Sequence, residues 1–162
     1  MKDIFDKLSS YNIFNYLFPG VIFVFILNWT TKYILIQDNF LIGLFVYYFI
    51  GLVISRFGSL VVEPCLRKIS FLNFVDYKQF IVAANKDDKI ELLSETNNMY
   101  RTISSMFIML ILFKFYKLFE SKYIFLLNYR TRIIILSLTI MFLLSYKKQT
   151  KYITKRIEVN RE

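Results

Sequence analysis

Residues 13–31 read IFNYLFPGVIFVFILNWTT and residues 40–55 read FLIGLFVYYFIGLVIS, two runs without a charged side chain. At about 1.5 Å per helical residue the first covers about 28 Å, close to the hydrocarbon thickness of a bilayer, about 30 Å. The second reaches that length if it is extended to Ser59, which puts Arg56 a turn below the surface, where its long stem can snorkel. Both runs demand lipid, so the expected fold class is all-α, with helices crossing a membrane. Pro19-Gly20 falls early in the first run. A proline there removes a backbone donor, and predicts either a bend at the cytoplasmic interface or a discontinuous helix lining a site.

The remaining composition agrees. Of 162 residues 56% are apolar with tyrosine counted, and there are only 4 Gly and 2 Pro. Phe, Tyr, Met, Ile, Asn and Lys supply half of the chain, all from AT-rich codons, so aromatic abundance by itself carries no functional argument. Net charge is +9. On a soluble protein this would suggest nucleic acid, but beside lipid-length runs it is explained by Lys and Arg held at the cytoplasmic ends of spans. The single cysteine, Cys65, has no disulfide or zinc-ligand companion. Histidine is absent, which removes Ser–His and Cys–His nucleophile pairs and the usual general base near neutral pH. Residues 1–11 carry four charges, and no small-residue cleavage site follows, so a secretory signal is not expected.

Two further spans are shorter on paper. Arg101 and Lys114 bracket 12 uncharged residues, and Arg132 and Lys147 bracket 14. Pairing 99–119 with 123–146 across a tight turn at Glu120-Ser121-Lys122 makes both long enough, with Lys114, Lys117, Arg130 and Arg132 in the outer part of the bilayer. The alternative keeps both short, places 123–128 in the interface and thins the bilayer locally. The expectation is thus a four-span protein and not two spans plus a re-entrant hairpin. Its segments are about 13–31, 40–59, 99–119 and 123–146. Counting Lys and Arg gives 15 on the side of both ends and the middle stretch, against 6 opposite. The excess predicts a bacterial inner-membrane protein with both termini cytoplasmic.

Between the second and third spans, 62–100 is the expected cytoplasmic segment. Glu63-Pro64 should end or bend the second helix. CLRKISFLNF mixes basic and aromatic residues and suits lipid headgroups. Asp76 should cap a short helix through Ala84 with Phe80 and Ile81 as its apolar face. Asp88-Lys89-Ile90-Glu91 has capping-box spacing, and no Gly or Pro follows before Glu120, which predicts a third helix that starts outside the bilayer and runs straight in. The tail YKKQTKYITKRIEVNRE should extend the fourth helix as a basic segment that binds anionic headgroups, with nucleic acid the minority alternative.

Three groups of residues stand out as candidates. Gly51, Ser55 and Ser59 form a narrow ridge of small side chains, a packing surface for this chain or for a second copy. Arg56, Glu91, Glu95, Asn97, Asn98 and Arg101 suggest a polar collar or partner site, in which Glu91 or Glu95 pairs with Arg56 or Arg67. Lys114, Lys117, Arg130 and Arg132 suggest an anion-attracting vestibule, the alternative being that they snorkel at the outer interface. No glycine-rich phosphate loop, zinc spacing or G-x-S-x-G is present, and Ser104 or Ser105 lies too far along the helix from Lys114 to form a pair. Neither catalytic residue, cofactor nor metal is expected.

With YNIFNYLFPG at the first span and KDDKIELLSETNNMYR before the third, the chain resembles in size and layout small multi-span membrane proteins of bacterial anti-phage defence loci. The membrane subunit of the Kiwa system and the membrane accessory proteins of type VI CRISPR loci are examples. The resemblance implies a membrane sensor, effector or pore acting with a soluble partner. One branch of the CRISPR accessories carries an Arg-x4-His nuclease-like motif, which a chain without histidine does not have, and no functional residue is transferred. The combined expectation is a non-enzymatic, homo-oligomeric membrane effector or sensor with a cytoplasmic protein partner. Its alternative is a non-conducting anchor that recruits a partner through 62–100 and the basic tail.

Overall fold

A computed structural model describes residues 10–31 and 33–160. Among them every regular element is helical: α1 Ser10–Thr30, α2 Phe40–Lys68, α3 Tyr77–Ala84, α4 Lys89–Lys122 and α5 Ile124–Val159. Four of these, all but α3, are long and apolar enough to cross a membrane. Lys2, Lys7, Lys32 and Arg161, which enter the charge balance above, lie outside the described residues. At about 1.5 Å per residue α1 is about 31 Å long, whereas α4 and α5, with 34 and 36 residues, exceed 50 Å and overhang any bilayer by about 20 Å.

α1, α2 and α4 share the core: Phe23, Val24 and Leu27 meet Ile54 and Met106, and the rings of Phe23 and Phe113 pack edge to face at 5.8 Å. α5 lies outside this trio. It touches α2 through the stacked rings of Phe49 and Phe142, and it turns back on α4 after the single non-helical residue Tyr123. The reversal is tight, but it falls at Tyr123, while Glu120-Ser121-Lys122, the expected turn, remain in α4. Lipid gives helices no hydrophobic reason to associate, so close approach and hydrogen bonds must hold them. α1 and α2 supply the first. Gly20 lies directly against the Tyr47 carbonyl, and Gly51 against the Tyr16 carbonyl, so a β-carbon at either position would overlap backbone. The two contacts are reciprocal across an antiparallel pair. Carbonyl oxygens this near a glycine Cα can also accept a weak C–H hydrogen bond.

Both prolines are accommodated without ending a helix, so of the expected alternatives the stop at Glu63-Pro64 and the discontinuous helix at Pro19 are not what forms. Each follows a five-residue π turn, Ile13–Leu17 before Pro19 and Gly58–Val62 before Pro64. A proline ring clashes with the carbonyl four residues back and offers that carbonyl no N–H. Widening the helix locally moves the carbonyl aside: Phe18 N–H donates to Ile13 O, and Glu63 N–H to Gly58 O. α2 therefore runs on to Lys68. It ends where Ser70 adopts a left-handed conformation (φ 59°) and Phe71 N–H donates to Leu66 O at 3.0 Å, a Schellman stop with serine in the usual glycine place.

Asp76 caps α3 through Lys78 N–H at 3.1 Å, as expected, and Ile81 is buried. α4 begins at Lys89, but the cap differs. The Asp88 side chain makes no cap bond, and Asp87 Oδ1 accepts from Lys89 N–H at 3.0 Å instead. Asn39 caps α2 through Leu41 and Ile42 N–H.

Gly51→Val should lower stability by about 3 kcal/mol, the upper end of overpacking costs, because the obstacle is backbone. Gly43→Ala should cost far less, since its added methyl meets the movable Tyr47 ring at 3.3 Å. Thermal unfolding in detergent, compared between the two variants, checks this.

Candidate functional site

The ridge Gly51, Ser55, Ser59 is used inside the chain, and each member meets a different helix. Gly51 faces α1. Ser55 is 3% exposed and pairs with the Thr102 hydroxyl of α4 at 3.1 Å. Ser59 receives Lys148 of α5. Gly58, which the four-residue spacing passes over, serves the same end: a β-carbon there would strike the Ser105 side chain on α4.

Thr102 is the centre of a buried polar knot. It is fully buried, as is Asn15 from the first π turn, and its hydroxyl lies 2.7 Å from Asn15 Oδ1 and 2.9 Å from the Asn98 carbonyl. Asn15 donates in turn to the Tyr11 hydroxyl at 3.2 Å. Ser105 donates to the Arg101 carbonyl at 2.6 Å. Such bonds in membrane proteins contribute about 0.6 kcal/mol on average and at most about 1.7, but they fix register and rotation in a way that apolar contact does not. In sequence, Asn15 and Thr102 read as isolated polar residues among hydrophobic ones.

One turn beyond the knot Glu63 gathers the charges. Its Oε2 accepts from Arg101 Nη1 at 2.8 Å, and its Oε1 lies 3.8 Å from Lys148 Nζ. The Lys148 ammonium also donates to Ser59 O at 2.7 Å and Ser59 Oγ at 2.8 Å. The π turn explains this acceptor. Glu63 N–H, the α-helical donor for Ser59 O, goes to Gly58 instead, and the next position, which would serve it in a π turn, is Pro64 with no N–H, so the lysine takes their place. Burial pushes the Lys148 pKa below its ordinary 10.5. Glu63 pulls it back up, while Arg101, Arg67 and Arg56 push it further down. Burial, and next to it the Glu63 charge, raises the Tyr152 hydroxyl above its ordinary value. Ser59, Leu60, Glu63, Pro64, Arg67, Lys68, Lys148 and Tyr152 line an open cleft of about 510 Å³.

Of the expected collar, Arg101 and Asn98 enter this region. Glu91 and Glu95 do not: among the described residues neither forms an ion pair with Arg56 or Arg67, and the carboxylate that meets Arg101 is Glu63 of α2. Asn97 is exposed on the side of α4 away from the knot, and Arg56 lines a small recess with Ser145 and Lys148. The sequence reading treated Glu63 only as a neighbour of Pro64. The signal it missed was an acid at the end of an apolar run, which lipid burial forces to find a cation.

At the opposite end of the bundle the four vestibule residues are not brought together. Arg130 Nη1 lies 3.6 Å from Glu120 Oε1 and its guanidinium stands over the Tyr33 ring at 5.6 Å, while the Tyr33 hydroxyl donates to Glu120 Oε2 at 2.5 Å. Arg132 stands over the Tyr129 ring at 5.3 Å. Lys114 is exposed and Lys117 half-buried on α4. Among the described residues no three His, Cys, Asp or Glu side chains gather as metal ligands. Comparison with protein-family models, curated proteins and solved structures returns no match.

Glu63→Gln leaves Arg101 and Lys148 half-buried without their counter-charge and should cost about 3 kcal/mol, against about 1 kcal/mol for Thr102→Val. Because the folded Lys148 pKa lies below the unfolded one, the unfolded chain holds more protons just under pH 10.5, and stability contributed by this group rises with pH there. Lys148→Met should remove that rise. Unfolding midpoints recorded across alkaline pH test both statements.

Proposed function

We propose that the protein is a non-enzymatic subunit of a homo-oligomeric membrane effector or sensor, set in a bacterial inner membrane with both termini cytoplasmic, and working with a cytoplasmic protein partner, as in anti-phage defence. The observation that carries this reading is α5. Its most apolar 18-residue window has no residue buried inside the chain, whereas α1 buries a third of its own. Ile134, Ile135, Leu136, Ile140, Leu143 and Leu144 are all exposed. A helix that contributes so little to its own core offers a continuous face to other copies and to lipid. The overhanging halves of α4 and α5, with α3 packed on them through the Tyr77 and Tyr152 rings at 5.0 Å, supply a rigid platform for a soluble protein. Arg130 is engaged with Glu120 and Arg132 with the Tyr129 ring, whereas among the described residues Lys114 and Lys117 form no ion pair, and Lys114, the more exposed of the two, is the one we place toward a central opening between copies.

The same platform supports the second reading, an anchor that recruits its partner without conducting. Light scattering in detergent should give a mass that is a multiple of 19.5 kDa; a monomer throughout would overturn the assembly. Ion flux from liposomes then divides the two readings. Flux that Lys114→Ala abolishes and Arg130→Ala spares supports a conducting effector, and no flux from a stable oligomer supports the anchor.

A further inference from the structure

The charges around Glu63 do not balance. Both of its oxygens are engaged, by Arg101 and Lys148, and among the described residues Arg56, Arg67 and Lys68 have no carboxylate partner. Arg67 and Lys68 line the cleft, and Glu63 is the one acid among its lining residues. A separate recess of about 30 Å³, sharing Ser59, Leu60, Lys148 and Tyr152 with the cleft, is lined by Arg56 and by the Ser145 hydroxyl, which is buried with no protein partner. The guanidinium of Arg67 and the ammonium of Lys68 line the same cleft, and such a pair matches the oxygens of a phosphate ester, which arginine binds through its planar fork and lysine as a point charge. A volume of about 510 Å³ accommodates a small headgroup.

Position identifies the source of the phosphate. Counting about 30 Å along α2 from Phe40 sets the hydrocarbon edge near Ser59, so the cleft opens in the headgroup layer. Leu60 and Pro64 give it an apolar part. Val61, Ile69, Phe71 and Val75 beside it are exposed, 44% to 71%, a greasy rim that water would not favour and that acyl chains would cover.

We propose that this cleft is a binding site for the phosphate of an anionic phospholipid, held by Arg67 and Lys68 with its glycerol end against Leu60 and Pro64. The site is distinct from the polybasic helix end at Lys151, Lys155 and Arg156, and it does not depend on whether the assembly conducts.

Full-length protein in nanodiscs of phosphatidylcholine, with or without phosphatidylglycerol, provides the test, with bound lipid counted by native mass spectrometry. Phosphatidylglycerol should be retained over phosphatidylcholine. Arg67→Gln/Lys68→Gln should weaken retention about tenfold or more. The exchange Arg67→Lys/Lys68→Arg, which keeps the charge, should preserve it, and so should Lys151→Gln/Lys155→Gln/Arg156→Gln. Unchanged thermal unfolding verifies that the exposed substitutions leave the fold intact. Equal retention by the Arg67→Gln/Lys68→Gln protein, or loss only in the tail variant, overturns the site. Displacement of the lipid by millimolar inorganic phosphate overturns the assignment to lipid in favour of a soluble phosphate.

Discussion

The structure depends on the backbone contact between α1 and α2. Two glycines, Gly20 and Gly51, let each helix rest on a carbonyl of the other. In water a pair of apolar helices would be driven together by the loss of exposed surface. In lipid that drive vanishes, and what remains is dispersion at short range and hydrogen bonding, both steep functions of distance. Two missing methyl groups therefore set the geometry of the whole bundle. Once α1 and α2 are fixed at this spacing, Asn15 and Ser55 converge on one point, and α4 can deliver Thr102 to it.

From that point the polar interactions follow a gradient along the bundle axis. The knot at Thr102 is neutral and wholly buried; one turn further the ion pairs of Glu63 are partly exposed, with side chains 12–27% accessible. This order suits a medium whose polarity climbs over a few ångströms, since a neutral hydroxyl tolerates depth that a carboxylate does not. The opposite end shows the same economy in smaller form, with Glu120 held between Tyr33 and Arg130. Each end of the bundle is therefore tied across helices by one carboxylate.

Fold class and helix number were legible because they rest on length and hydropathy, which are one-dimensional properties. So was the straight third helix, since nothing between Lys89 and Glu120 interrupts it, and so was the Asp76 cap, whose signal is local. The partners of Glu63 were not. Arg101 is 38 residues away and Lys148 farther still, and pairing across helices depends on rotation about each axis, which periodicity in lipid-facing segments barely encodes. The prolines marked where the helices are distorted, but not the form of the distortion. Pro64 does forbid an ordinary hydrogen bond, but a chain can answer by widening, and no residue type advertises that answer. The small-residue ridge was seen, but its division among three helices was not, because spacing gives a face and not a neighbour.

The π turns have a consequence for how chains of this kind relate to one another. Each accommodates one residue more than a plain helix would need over the same rise, and each residue of an α-helix turns the chain by about 100°. A cousin lacking Pro64 and the widened segment before it would thus be shorter by one position between Ser55 and Glu63, with every downstream side chain still on its proper face. Comparing the two gene by gene would demand a solitary gap in the middle of a membrane helix, a place where insertions and deletions are ordinarily regarded as errors.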